Sequence, residues 1–304
     1  MAKEIDWDKF TFRCSSLGYI MSEVKGKTNA QKYEDTKVRL EANYIKADST
    51  KNKATATYTK LLETIKKQEA DLDFYESIKD IPQLSESCKT HLCDVYVSNV
   101  YGRNEDILSK YLEKGLQMEE DAISLYCFVT GAFHKKNTVR IKGEYFEGEL
   151  DFEDDDCVYD TKVNWSIFQF WRVRSKPIKK HYKCQLQGYM KLFKKQKARL
   201  INALVDTPEH LIAKEEKRLL FDFVGSEEDW NLAKVELRAN HTYTDIPQEE
   251  RLYVVEINRD DAFIEKMEQR VRDCRWYLNA LGRSNFNPSP LSQESSDDEE
   301  ENED

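Results

Sequence analysis

The sequence predicts an α/β chain, a small mixed β-sheet flanked by helices, with a helical arm at the N-terminal end. Three observations lead there. Apolar residues recur at helical spacing over residues 58–75, 105–128 and 264–281. The spacing shortens to a strand-like period over residues 139–163. Turn-formers are few, with Gly 10 and Pro 6, while aromatics reach 12%, which excludes a collagen-like or wholly disordered chain of 304 residues. No run approaches the roughly 18 apolar residues of a membrane span. The opening MAKEIDWDKF lacks an apolar signal region, so the expected location is the cytoplasm.

Residues 1–25 read as a short structured lead-in. Tyr58, Leu61, Leu62, Ile65, Leu72 and Tyr75 mark an amphipathic helix, residues 47–57 a break before it, and Pro82 a stop, which sets a helical arm over residues 1–80. A second helical segment spans residues 105–128, with Gly115 interrupting it and a new helix starting just before Glu119. Val139 to Val163 then reads as short strands in an antiparallel hairpin or meander, punctuated by Gly148 and the acidic turn Glu153–Asp156. Helices are expected near 164–174 and 180–196, a strand over 199–206, and a helix after it capped by Asp206. Ser226 with Asp229 resembles a capping box, and Leu252–Ile257 is an apolar strand. Ile264, Met267, Val271, Cys274, Leu278 and Leu281 form a stripe best read as a last helix packed on its own core. The core is thus expected over residues 81–282, and residues 283–304, with Pro, Ser and acid, as a disordered tail.

The net charge of −10 is concentrated in that tail, whose residues 294–304 hold eight acids and no base, so the bulk charge says little about partners. The seven cysteines are odd in number and form no C-x-x-C, which argues for reduced, structural thiols. Cys88, His91 and Cys93 lack a second ligand pair at zinc spacing.

The informative acids are Asp151 and Asp160. In Asp160-Thr161-Lys162 a strand's period of two puts Asp160 and Lys162 on one face and leaves Thr161 to offer its carbonyl. Two carboxylates and a lysine from adjacent strands suit a hard cation such as Mg²⁺, with the lysine positioning or activating water. A surface hairpin with unrelated charges yields the same spacing. The apolar flanks Val158, Tyr159 and Val163, however, place Asp160 on a central strand.

Gly148-Glu-Leu-Asp151 followed by Asp160-Thr-Lys162 resembles the D…(D/E)-x-K signature of the PD-(D/E)XK nucleases, and among them the phage-type exonucleases related to lambda exonuclease. Gly115-Leu-Gln-Met-Glu119-Glu120-Asp121-Ala122 resembles the family's upstream helix, and Gln185-Leu-Gln187-Gly-Tyr189 its helix after the catalytic strands. The likeness is good over residues 115–208 and looser elsewhere. It implies a restriction-endonuclease-like core and metal-dependent hydrolysis of DNA, by an exonuclease of phage recombination or DNA processing. Asp151, Asp160, Lys162 and Gln185 would be catalytic, with Gln187 the alternative glutamine. Glu119 (or Glu120), Asp151, Asp160 and the Thr161 carbonyl would hold one or two Mg²⁺ or Mn²⁺. Asp160 is shorter than the Glu common in lambda-type members, and with no cysteine quartet an iron–sulfur cluster is not expected. Apart from the resemblance, Glu119–Asp121 reads as a first-turn cluster favoured by the helix dipole.

From Arg172 to Arg199 there are eleven Lys or Arg and no acid. Beside an acidic metal site such a stretch suits a polyanion, so Arg172, Arg174, Lys176, Lys179, Lys180, Lys183, Lys191, Lys194 and Lys195 are the expected DNA contacts. Trp165, Phe168, Phe170 and Trp171 interleave with it, as core or as base-stacking groups. The resemblance adds a single-strand-annealing partner, a ring-like oligomer and, for a phage protein, the bacterial host cytoplasm. The alternatives are a RecB-type nuclease acting on single-strand ends and a non-catalytic DNA-binding phage protein with the same fold.

Overall fold

The computed structural model describes residues 4–105 and 109–283; Leu108 and the expected tail from residue 284 onward lie outside them. In chain order, β1 (Phe12–Arg13) and α1 (Leu17–Ile20) lead to α2 (Asn29–Ser49), α3 (Ala56–Ile78) and α4 (Glu86–Tyr101). Next come α5 (Lys110–Gln117) and α6 (Glu119–Thr130), then β2 (Ile141–Lys142), β3 (Phe146–Gly148), β4 (Phe152–Glu153) and β5 (Cys157–Val163). Helices α7 (Ile167–Arg174) and α8 (Lys180–Leu192) precede β6 (Lys197–Ala203), and α9 (Glu209–Asp222), α10 (Glu227–Ala239), β7 (Leu252–Asn258) and α11 (Asp261–Leu281) complete the chain.

Residues 22–93 form one compact unit, and the described residues of 4–21 and 94–283 are grouped in another. Within the smaller unit α2 and α3 run antiparallel. Thr28 opens α2 with a capping box to Gln31, and Leu40, Ala47 and Ile65 close the seam together with Tyr58, Leu61 and Leu72. The sequence counts the first twenty residues into the arm. The fold returns them to the larger unit, because Phe12 and Arg13 pair in parallel with Phe146 and Glu147.

The larger unit holds two sheets, of order β1-β3-β2 and β4-β5-β6-β7. The expected run of strands over 139–163 is therefore divided between them, with one antiparallel pair in each. In the second sheet β5 and β6 are parallel, in register Asp160↔Leu200 and Lys162↔Asn202, while β7 is antiparallel to β6. A parallel pair needs a crossover, and α7 with α8 supplies it. The core under β5 is built from Ile123 and Tyr126 of α6 with Phe152, Cys157, Tyr159 and Ile201. Helix α11 buries Ile264, Met267, Val271, Cys274 and Leu278, and the capping box of Ser226 with Asp229 forms at the start of α10. Asp206 does not cap α9, whose N-cap is Pro208. Its Oδ1 accepts the Tyr243 N–H at 2.7 Å instead, because the turn that follows β6 brings it beside the α10–β7 connection. No helix among the described residues is long and apolar enough to cross a membrane.

Candidate active site

Strand β5 carries the candidate site. Alternate side chains go to opposite faces. On one face Tyr159 stacks on Phe152 with ring centroids 4.5 Å apart and meets Tyr126 of α6 at 5.8 Å. On the other, Asp160 and Lys162 look toward α8. Asp160 is 3% exposed. Its Oδ1 accepts a hydrogen bond from Gln185 Nε2 at 2.9 Å, and Lys162 Nζ stands 2.7 Å from its Oδ2. Oδ2 is buried and faces the Lys162 ammonium, so both oxygens of the carboxylate are engaged.

Asp151 lies between β3 and β4. Its N–H donates to the Tyr159 carbonyl at 3.3 Å, and its Oδ2 accepts the Thr161 N–H. These two backbone contacts bring it beside Asp160. Burial first, then the charge of Asp160 and the contact with Glu119, push the Asp151 carboxyl up to about 8. Glu119 opens α6. Burial works to raise its carboxyl, but bonds with Asp151 and with Lys136, whose Nζ is 3.0 Å from Oε2, outweigh it and hold Glu119 below the usual range. Burial also works against the Lys162 charge, but Asp160 and Asp151 outweigh it and raise the amine.

The two glutamines are held differently. Gln185 touches Asp160 and also Tyr189 Oη at 3.1 Å, and Tyr189 donates to the Glu149 carbonyl at 2.9 Å. Gln187, fully buried, donates to the Asn258 carbonyl at 2.8 Å and accepts the Asp260 N–H at 2.9 Å, tying α8 to the start of α11. Glu120 is exposed.

Among solved structures, a phage-related exonuclease from Haemophilus somnus 129PT superposes with a TM-score of 0.59 and 25% identity, over 90% of this chain and 95% of its own. The chain resembles the phage-type exonucleases of the PD-(D/E)XK superfamily. An alkaline exonuclease from Laribacter hongkongensis, also solved in complex with dAMP, superposes at 0.47 with 15% identity over 67% of this chain and 86% of its own. No protein-family model and no curated protein matches.

Within this exonuclease-type fold the carboxylates do not close on one point. Glu119 leans to Lys136 and Asp160 to Lys162, and among the described residues no three His, Cys, Asp or Glu side chains gather as a metal would gather them. The donor set nevertheless fits a hard cation. It offers carboxylate oxygens of Glu119, Asp151 and Asp160 from neighbouring elements, close enough that the other two acids help to raise the Asp151 carboxyl.

The basic stretch divides into two. Lys191 pairs with Glu268 at 2.8 Å, and Lys195 with Glu153 at 3.0 Å and the Asp154 carbonyl at 2.6 Å. Their charges are met by acids far away in sequence. Lys194 is exposed beside them. Arg172, Arg174, Lys176, Lys179 and Lys180 are exposed at the other end. There Lys179 and Lys162 stand over the Tyr182 ring, at 5.9 and 5.3 Å, which joins the basic end to the acidic cluster. Lys183 lies over Phe263 at 4.9 Å. Sequence reasoning missed Lys136, a loop lysine with no periodic signal, and Tyr182, which has no motif of its own. Tyr189 stood within the glutamine-to-tyrosine pattern but had been given no role.

Proposed function

We propose that the chain is a metal-dependent DNA nuclease, an exonuclease that hydrolyses phosphodiester bonds of linear DNA. The observation that supports it best is the group Asp151, Asp160 and Lys162, with Asp160 held by Gln185 on one oxygen and by Lys162 at 2.7 Å on the other. Glu119, Asp151, Asp160 and the Thr161 carbonyl would hold Mg²⁺ or Mn²⁺. When bound, such an ion supplies Lewis-acid polarisation of the phosphate and a more acidic water.

The chain's own residues do the rest. Lys162, kept charged by two carboxylates, orients water and offsets negative charge developing on the phosphate. Gln185 fixes the Asp160 carboxylate so that its second oxygen faces the site. The exposed cations from Arg172 to Lys180 grip the flanking phosphates. A role in phage recombination within a bacterial cytoplasm, a single-strand-annealing partner and a ring-like oligomer follow from the resemblance alone.

The test is incubation of the protein with end-labelled linear duplex, single-stranded and nicked circular DNA in Mg²⁺, Mn²⁺ or EDTA. Linear DNA should be lost only with metal, circles should be spared, and Asp160→Ala should abolish the loss. Lys162→Ala should cut the rate by roughly 10²- to 10⁴-fold and leave DNA affinity within about twofold. Binding without cleavage under every metal would overturn the reading in favour of a DNA-binding protein.

A further inference from the structure

The four aromatics around α7 have separate fates. Phe170 is 1% exposed and packs with Leu204 and Tyr243. Trp165 is half-buried, edge-on to Tyr111 and His241 at 5.4 and 5.0 Å. Phe168 and Trp171, by contrast, are 59% and 52% exposed. Three positions apart, they share one helix face. With Ile167, Arg172 and Ser175 they line a groove of about 440 Å³.

The two rings stand on adjacent turns and, with Ile167, make one contiguous apolar face, and its surroundings indicate what it receives. The Arg174 guanidinium lies 4.9 Å from the Trp171 ring centroid and 6.0 Å from that of Tyr253. Among the described residues neither Arg172 nor Arg174 has a carboxylate within the 4.0 Å of an ion pair. The face is therefore aromatic and cationic together, the combination that receives nucleobases and their phosphates. It is also near the acidic cluster. Only residues 164–166 separate β5 from α7, so Trp171 lies at most about 25 Å from Lys162 between Cα atoms. That is about seven base steps of a duplex at roughly 3.4 Å each.

We propose that this face of α7 is a stacking platform for unpaired bases of the DNA strand engaged at the site. Phe168 and Trp171 take the base faces, and Arg172 and Arg174 take the neighbouring phosphates. A closed duplex keeps its base faces stacked and presents only phosphates, so the platform favours single strands, overhangs and frayed ends with little regard to sequence. The proposal rests on the nuclease reading for the strand's presence, but its signature is binding and needs no cleavage.

The test uses the full chain carrying Asp160→Asn, in EDTA, and reads anisotropy of a dye-labelled 20-nucleotide single strand and of a duplex closed by hairpins at both ends. Phe168→Ala with Trp171→Ala should weaken single-strand binding at least about 10-fold and closed-duplex binding by less than about threefold. Trp171→Phe should retain most of the affinity, and unchanged melting would show that the exposed face is not needed for folding. Equal losses on both DNAs, or no loss, would overturn the proposal. So would a change of oligomeric state in sedimentation, which would make the face a contact between copies. A wild-type chain inactive with every metal but showing the aromatic-dependent preference would sink only the nuclease reading; an active one without the preference would sink only the platform.

Discussion

Gln185 and Gln187 are two residues apart on one helix, which rotates them about 200° from each other. One reaches Asp160 and the other seals a junction between α8 and α11. Their removal should separate cleanly. Gln185→Leu takes a donor from the buried Asp160 carboxylate and should cost some stability. Under conditions where it is fully folded it should still lose roughly 10-fold or more in cleavage rate, because that carboxylate is no longer oriented, whereas folded Gln187→Leu should keep its rate. Gln187→Leu leaves the Asn258 carbonyl and the Asp260 N–H buried without partners, so it should cost about 2–4 kcal/mol of stability. Calorimetry beside an end-labelled DNA assay checks both, and equal activity losses at equal stability would refute the division. The helical pattern shows that the two glutamines differ. Which of them faces the sheet depends on the element packed against α8, and no local signal carries that.

At α5, the amphipathic spacing expected over residues 105–128 conceals a buried amine. Lys114 is 1% exposed, donates to the Trp165 carbonyl at 3.2 Å and stands 5.5 Å from the Tyr243 ring centroid. Burial lowers its pKa from 10.5 to about 7, against a smaller opposing pull from Asp206. Between these two values the unfolded chain binds the proton and the folded chain does not, so stability rises with pH across that window. Below pH 7 both forms are charged and the burial penalty is complete. The stability of wild type relative to Lys114→Met should therefore increase from pH 7 to 9.5, by at most about 1.4 kcal/mol per pH unit. Denaturant melts of both proteins along that series measure it, and a constant gap would refute it. The heptad-like stripe of α11 needed no such correction, since its period and its burial coincide.

Over the larger unit, the proposed DNA binding should follow the distribution of charge more than the net value of −10. Exposed cations gather from Arg172 to Lys180, whereas Lys191 and Lys195 are already matched by Glu268 and Glu153. A plot of log affinity against log salt should thus lose about 0.9 of slope for each of Arg172→Ala and Lys179→Ala, and almost none for Lys191→Ala or Lys195→Ala. Four equal changes in slope would show that the local ion pairs are irrelevant. Reading along the chain was enough for most strands and helices after residue 109, the shared face of Asp160 and Lys162 and the start of a helix at Glu119, but it gave neither the helix Glu86–Tyr101 nor the strand Phe12–Arg13. What it gave follows from periods of 2 and 3.6 residues within one element, whereas the order of the site motifs came from the family resemblance. Packing between elements was needed to divide the strands into two sheets, to set Asp151 against Thr161 and Glu119, to neutralise part of the basic stretch, and to bury Phe170 while exposing Phe168 and Trp171. Those outcomes depend on which distant surfaces meet, and an element's own sequence does not encode its neighbour.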